Sequence, residues 1–277
     1  MKTIAGKTVL LTGASGSLGV FIARDLAREG ATVVGVSRSK EGLDKTCAEV
    51  ENIGGRWISL PFDITKVEKL PVLVQQINQL AGPIDILINN AGIAKTQYFQ
   101  DNSLEDIQSI LTTNLLAAIE LTRLVLPSML HRNSGHIVNI ASLSGKKGLP
   151  HDSIYSASKA GLIMWTDGMR QELANTNVGI SAICPGMTAT GLSLDVGMCT
   201  PSLVHISKPT DVAHAVLCAI KQNQAEVIID GPLTKHLFAI AQLFPRFGDA
   251  IYRWIGLTKM QETLAANQKR VRSLVQN

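Results

Sequence analysis

The sequence predicts an α/β chain in a single domain built on a parallel sheet, and three observations carry that expectation. Six short runs of apolar, partly β-branched residues alternate with segments of helical period, the order that builds a parallel sheet through helical crossovers. Each run closes on a small, polar or glycine-rich motif, which gathers all such motifs at one edge of the sheet. The composition agrees: of 277 residues 45% are hydrophobic and only 4% aromatic, as suits aliphatic strands covered on both faces. No internal repeat or interdomain linker is visible. Residues 1–231 read as the main unit and 232–277 as a helical extension packed on it.

Composition also excludes other classes. The net charge of +4 is small for this length, and no run of Lys and Arg reads as a nucleic-acid surface, so no nucleic-acid partner is expected. Cys47, Cys184, Cys199 and Cys218 lack metal-ligand spacing, as do the histidines, so no metal is expected and the thiols read as free in a reducing compartment. Met-Lys-Thr-Ile-Ala-Gly-Lys passes at once into a strand rather than a secretory signal. No uninterrupted apolar run reaches the roughly 18 to 20 residues that span a bilayer. A cytoplasmic protein is expected.

Thr8-Val9-Leu10-Leu11 is the first strand and closes on Thr12-Gly13-Ala14-Ser15-Gly16-Ser17-Leu18-Gly19. A helix follows, with Val20, Ile22, Ala23, Leu26 and Ala27 apolar and Arg24, Asp25, Arg28 and Glu29 opposite; Gly30 stops it. In this context backbone N–H groups at a helix start hold a pyrophosphate. The second strand, 31–36, completes a βαβ unit, which makes the glycine turn a stronger signal. The chain then reads Ser37-Arg38-Ser39-Lys40, with the first acid at Glu41. An NAD site commonly places an acid there, whereas a 2′-phosphate takes a cation, so Arg38, assisted by Lys40, predicts NADP(H). The competing reading is a solvated loop cation.

Residues 43–53 read as a helix and 57–60 as the third strand, followed by Asp63-Ile64-Thr65. Asp63 either accepts from an adenine amino group or caps the helix after Thr65. That helix covers 67–80 and is interrupted or restarted at Pro71. The fourth strand, 84–88, ends in Asn89-Asn90-Ala91-Gly92, small residues that let the backbone approach a ribose. Two helical stretches, 104–112 and 115–131, flank Asn114. The fifth strand, 136–140, delivers Ser142; a helix covers about 154–175; the sixth strand, 178–183, ends in Cys184-Pro185-Gly186-Met187-Thr188-Ala189-Thr190.

Tyr155-Ser156-Ala157-Ser158-Lys159 carries the chemistry. At helical spacing Tyr155 and Lys159 stand on one face. A free tyrosine titrates near pH ~10, and an ammonium one turn away favours the phenolate, which is expected to bring the pKa towards the working range. Ser142, thirteen residues earlier, would place a hydroxyl beside a carbonyl or alcohol oxygen held at the tyrosine. Alone, a Tyr and a Lys four apart are most often surface residues.

Thr12-Gly13 to Gly19, Asn89-Asn90-Ala91-Gly92, Asn114, Ser142, Tyr155-x-x-x-Lys159 and Pro185-Gly186 stand in the order and spacing of the short-chain dehydrogenase/reductase family, which the chain resembles over roughly residues 5–190. The resemblance implies a Rossmann-like, doubly wound domain and a catalytic Asn-Ser-Tyr-Lys set. By that analogy Tyr155 is the general acid in ketone reduction and the base in alcohol oxidation, and Ser142 orients the substrate oxygen. Lys159 lowers the tyrosine pKa and binds the nicotinamide ribose, and Asn114 holds a water of the proton relay. The expected cofactor contacts are Gly13, Ser15, Ser17, Leu18, Gly19, Ser37, Arg38, Asp63, Ile64, Asn90, Ala91, Gly92, Tyr155, Lys159, Pro185, Gly186, Thr188 and Thr190. The family's usual TGxxxGxG is altered: Ser17 stands at the middle glycine position and Gly16 one earlier, so Ser17 needs φ below zero or strain.

The end of the chain also departs. Ala225 to Asp230 reads as a seventh strand, but Gly231-Pro232 leads into an amphipathic segment divided at Pro245, with Leu237, Ile240, Phe244, Phe247, Ile251 and Trp254 apolar. It is expected to cover the cleft or a neighbouring subunit, or to touch a membrane surface through 233–257. The last basic stretch, 269–272, is expected to be frayed or solvated. His151 reads as a solvent-facing loop residue, with substrate contact the other reading. Residues 192–207, with apolar Leu192, Leu194, Val196, Met198 and Leu203, stand where the family carries a substrate lid and hint at a hydrophobic substrate. The expectation is an NADP(H)-dependent oxidoreductase interconverting a carbonyl and an alcohol, in a homodimer or homotetramer. A nucleotide-sensing binding protein and a membrane-surface scaffold are the rival classes.

Overall fold

The computed structural model describes residues 1–190, 201, 204–231 and 234–276. The chain runs β1 (Thr8–Thr12), α1 (Ser17–Arg28), β2 (Thr32–Ser37), α2 (Lys40–Glu51), β3 (Arg56–Pro61), α3 (Leu70–Ala81), β4 (Ile86–Asn89), α4 (Leu104–Leu111), α5 (Ala117–His131) and β5 (Gly135–Ile140). It continues through α6 (Ser153–Glu172), β6 (Val178–Pro185), β7 (Met187–Thr188), β8 (Ile206–Ser207), α7 (Pro209–Gln222), β9 (Glu226–Ile229), α8 (Thr234–Leu243), α9 (Pro245–Trp254) and α10 (Leu257–Gln276). Among the described residues seven strands form one parallel sheet in the order β3-β2-β1-β4-β5-β6-β9. The order reverses between β1 and β4, and a crevice opens beyond the strand ends at such a switch point.

Successive side chains of a strand face opposite ways, so each strand feeds two cores. Val9, Leu11, Val33, Ile86 and Val138 pack against Ile22 and Leu26 of α1 and Val212, Val216 and Ile220 of α7. On the other face Leu10, Val34, Leu87, Ile137 and Ile180 meet Leu73 and Ile77 of α3 and Leu121 and Val125 of α5. Each fully buried Leu or Ile contributes about 1.5–3 kcal/mol relative to exposure. This is the doubly wound arrangement that the alternating pattern predicts. Local chemistry sets several helix starts: Ser39 caps α2 by accepting from Gly42 N at 3.0 Å, Ser103 caps α4 by accepting from Asp106 N at 3.1 Å, and Pro71 opens α3.

The structure differs from the sequence reading in three places. The stretches flanking Asn114 are one continuous helical span, because a π turn over Thr112–Leu116 joins α4 to α5. By length and composition the span Leu104–His131 would cross a membrane, but Ala117, Leu121, Val125 and Met129 are buried against the sheet. Helix α7, absent from the expected elements, covers α1 with the helical period of Val212, Ala213, Val216 and Ile220. The short pair β7–β8 extends past the sheet edge. At the basic end the solvated reading holds: Lys269, Arg270 and Val271 are exposed, on a helix rather than a frayed tail. Helix α10 buries Met260, Leu264 and Ala265, and Lys269 pairs with Asp101 at 3.0 Å and lies 5.5 Å from the Tyr98 ring centroid. Most of the segment expected to form a lid, including Leu192, Leu194, Val196, Met198 and Leu203, lies outside the described residues.

Candidate active site

The glycine turn after β1 is built for close approach. Gly13 has φ +63°, a conformation costly for other residues, and a Cβ there would stand 2.7 Å from Ala91 Cα. A Cβ on Gly19 would collide with the Gly13 carbonyl and reach Ala14 Cα at 2.9 Å. Gly16 is the extended residue preceding α1 and Ser17 the first helical one, so the displaced glycine leaves Ser17 at negative φ without strain. The Thr12 hydroxyl accepts from Asn90 N at 3.0 Å and Ala91 N at 3.1 Å, while Asn90 Nδ2 donates to the Thr12 and Gly13 carbonyls. These bonds join the β1 and β4 ends into one wall. Ser15 and Ser37 share a 2.5 Å hydrogen bond that closes the turn against β2. Beyond it, Arg38 is exposed and makes no ion pair among the described residues.

The second wall comes from β5 and α6. Lys159 is buried; its Nζ donates to Ile140 O at 2.7 Å and lies 5.7 Å from the Tyr155 ring centroid. Burial lowers its pKa to about 8. A Cβ on Gly92 would stand in ordinary contact with that Nζ at 3.4 Å and with Asn114 Oδ1 at 3.5 Å, which places Gly92 beside both side chains. Asn114 sits in the π turn, 1% exposed: Oδ1 accepts from Ile93 N at 2.8 Å, and both Nδ2 hydrogens are used, to Ile93 O and to Ser158 Oγ. The side chain therefore braces the loop after β4 and the start of α6. Ser142 Oγ accepts from Ser144 N at 3.1 Å and opens a short turn, Leu143–Gly145. A Cβ on Gly145 would be 2.7 Å from the Lys159 carbonyl carbon, which keeps that turn tight against α6.

Burial pushes Tyr155 up to about 12; the Ser142 hydroxyl pulls it down and the charge of Asp152 pushes it further up. Lys159 has turned its ammonium to a carbonyl instead of the phenol, so the chain by itself holds Tyr155 protonated.

All the residues expected to contact cofactor, from Gly13 through Arg38, Asp63, Asn90 and Lys159 to Thr190, line one cleft of ≈ 1340 Å³ together with Ser142. Asn114 stands one layer behind it. Asp63 accepts from Thr65 N at 3.0 Å and from Thr65 Oγ1 at 2.8 Å, a local Asx turn rather than a helix cap. A glycine cradle that any Cβ would fill, a cation at the end of β2 and a buried ammonium fit a phosphate-bearing dinucleotide.

The family model for short chain dehydrogenases matches residues 7–197. The chain belongs to the short-chain dehydrogenase/reductase family. It is 55% identical over 274 residues to the ketoacyl reductase HetN of Nostoc sp., covering 97% of this chain and 96% of the relative. It is 32% identical to the 3-oxoacyl-[acyl-carrier-protein] reductase FabG of Thermotoga maritima over 83% of this chain and 98% of that protein. Actinorhodin polyketide ketoreductase, solved with NADPH, superposes with TM-score 0.78 at 30% identity, covering 84% of this chain and 99% of that one. An NAD+-bound xylitol dehydrogenase also superposes, with TM-score 0.75 at 28% identity over 83% of this chain and all of that one. The short-chain oxidoreductase class is thus established, and a nicotinamide dinucleotide is its cofactor.

Within that family frame, the C-terminal helices form the roof of the cleft. Phe238 and Ala241 of α8, Phe247 and Ile251 of α9, and Met260, Gln261 and Leu264 of α10 all line it. Lys147 anchors α9 through Asp249 at 2.6 Å, and Tyr252 donates to the Lys147 carbonyl at 3.3 Å. Amphipathic spacing in 237–257 signals these helices but not which surface they cover. Asp152 is a site residue that the sequence reading missed altogether. His151 does not face solvent freely: at φ +62° its ring packs edge-on to Tyr98, 5.0 Å between centroids.

Proposed function

We propose that the chain is an NADP(H)-dependent ketoreductase acting on an apolar, ketoacyl-type carbonyl, with Tyr155 as the general acid. The observation that carries the reading is the placement of Tyr155, Ser142 and Lys159 in one cleft with the glycine cradle, in a chain 55% identical to a ketoacyl reductase. When bound, the nicotinamide supplies the hydride to the carbonyl carbon. The turn Gly13 to Gly19 would hold its pyrophosphate and Arg38 the 2′-phosphate. Asp63 and Ile64 would meet the adenine, Asn90 to Gly92 and Lys159 the riboses, and Pro185 to Thr190 the carboxamide side. Tyr155 delivers its proton to the substrate oxygen, and Ser142 orients that oxygen by donating to it. Burial keeps the Tyr155 phenol protonated at neutral pH, the form in which it serves as the acid of reduction; the preference for reduction is inferred from the NADP(H) cofactor. Asn114 braces Ile93 and Ser158, and its Oδ1, which accepts only one hydrogen bond, keeps a lone pair for a relay water.

The apolar roof of α8–α10 supports a hydrophobic substrate. Beyond the cleft, Leu243, Phe244 and Trp254 are 75%, 62% and 78% exposed beside Arg246 and Arg253, which supports contact of 233–257 with a membrane surface. Exposed Leu116 and Met164 on the α5 and α6 side support a homodimer or homotetramer. The test is NADPH oxidation with 3-oxoacyl esters and other ketones, with NADH in parallel and Tyr155→Phe as control. Turnover with NADPH that the Phe variant loses supports the reading. Tight NADPH binding with no turnover on any carbonyl would favour nucleotide sensing, and equal use of NADH would remove the role of Arg38.

A further inference from the structure

Two buried acceptors in the cleft have no partner. Asp152 is 8% exposed and stands at the start of α6, three residues before Tyr155, yet it gives no capping hydrogen bond to the helix. Its Oδ2 accepts from Thr96 Oγ1 at 3.1 Å, and its Oδ1 meets no donor. Gln261 of α10, 5% exposed, has the same deficit at Oε1. Both line the one cleft, Asp152 from the wall that carries Tyr155 and Gln261 from the roof. A buried polar atom without a partner costs about 1–3 kcal/mol, so it marks a place where a donor is supplied from outside the chain. Both oxygens are closed off as the side chains stand, and a donor reaches them on rotation about χ2 of Asp152, which gives up the Thr96 bond, or χ3 of Gln261, the softest torsions in those side chains. Burial holds the Asp152 carboxyl at about 6, so at neutral pH it is mostly an acceptor-only carboxylate.

We propose that the cleft selects an apolar carbonyl compound bearing a hydrogen-bond donor, an amide N–H or a hydroxyl, apart from its reacting oxygen. Asp152 receives that donor and Gln261 is the second receiver. The inference rests on the ketoreductase reading and names the substrate chemistry that reading leaves open. Asp152 acts here in substrate specificity, not in proton transfer.

The test uses the full chain with NADPH and three probes: N-ethyl-3-oxodecanamide, which has an N–H, and its N-methylated tertiary amide and ethyl 3-oxodecanoate, which have none. The secondary amide is expected to be preferred in kcat/KM by roughly ten- to hundredfold, chiefly through KM. In Asp152→Ala that ratio falls towards one, Gln261→Leu lowers it in part, and Asp152→Asn, which keeps an acceptor oxygen, retains more of it than the Ala variant. A wild-type ratio of one, or a ratio unchanged in both Asp152→Ala and Gln261→Leu, overturns the proposal. If none of the three ketones turns over, the ketoreductase reading fails separately. Calorimetric binding of the two amides to the NADPH-loaded chain then decides: tighter secondary-amide binding that Asp152→Ala abolishes upholds the subsite, and equal affinities overturn it.

Discussion

Acid destabilises this fold in part through a buried histidine. His136 lies on β5, 1% exposed, where Gly179 of the neighbouring strand leaves room for its ring. Ser181 Oγ donates to Gln224 O at 2.5 Å and has only one proton, so in its 2.9 Å bond with His136 it must accept, and Nε2 carries the hydrogen. Taking up a second proton would place an unhydrated cation in the sheet; burial first, then the chain's N-terminal ammonium and Arg170, push the pKa from 6.5 down to about 3. The folded state therefore binds that proton less readily than the unfolded chain. The stability this contributes is present above pH 6.5 and is lost as pH falls from 6.5 towards 3. Each pH unit inside that window costs about 1.4 kcal/mol, so between pH 7 and 5 the loss is about 2 kcal/mol. Urea unfolding followed by tryptophan fluorescence at half-unit pH steps reads the slope, with His136→Gln as the uncharged donor. The variant should be weaker at pH 7 but lose about 2 kcal/mol less on going to pH 5. A variant with the wild-type slope, or a His136 ring signal titrating near 6.5, would refute the reasoning.

Other perturbations test the site. Gly19→Ala puts a methyl group into the Gly13 carbonyl; NADPH affinity measured by fluorescence should fall by roughly a hundredfold or more while the circular dichroism of the fold persists. On the proposed reading Arg38→Gln should raise KM for NADPH roughly ten- to hundredfold and leave NADH nearly unchanged, because that reading sets the cation against the 2′-phosphate. Tyr155→Phe should cut kcat by roughly 10²–10⁴ with little change in NADPH affinity, measured by single-turnover kinetics and binding. For Asp152 the sign is opposite to the usual acid: burial raises its pKa from 3.8 to about 6, so the charged form costs the fold up to about 3 kcal/mol above pH 6 and nothing below 3.8. Asp152→Asn should therefore raise the urea midpoint at pH 7.5 and change it little at pH 3.5. An unchanged midpoint at pH 7.5 would contradict the burial argument.

The order of strands, the glycine turn and the Tyr155-Lys159 spacing were legible in the linear chain because each depends on neighbours within a few residues. Period-2 and period-3.6 patterns, a glycine where backbone must approach backbone, and a tyrosine one turn from a lysine are local facts. The same reading passed over α7, although Val212, Ala213, Val216 and Ile220 have a helix's period, and it broke the Leu104–His131 span at Asn114, where a π turn keeps it whole. A single inserted residue shifts the apolar face by about 100°, so a π turn reads in the sequence as the end of one helix and the start of another.

The sequence by itself determined the fold class, the family and the residues that meet at the cleft, since these rest on short-range backbone chemistry repeated in order along the chain. Only the tertiary structure decided that α8–α10 roof the cleft and that Asp152 and Gln261 stand in its walls with unmet acceptors. It also decided that Lys159 turns its ammonium to the Ile140 carbonyl. The physical reason is common to all of these: burial, desolvation and the choice among hydrogen-bond partners are set by residues far apart in sequence, and no local pattern records them.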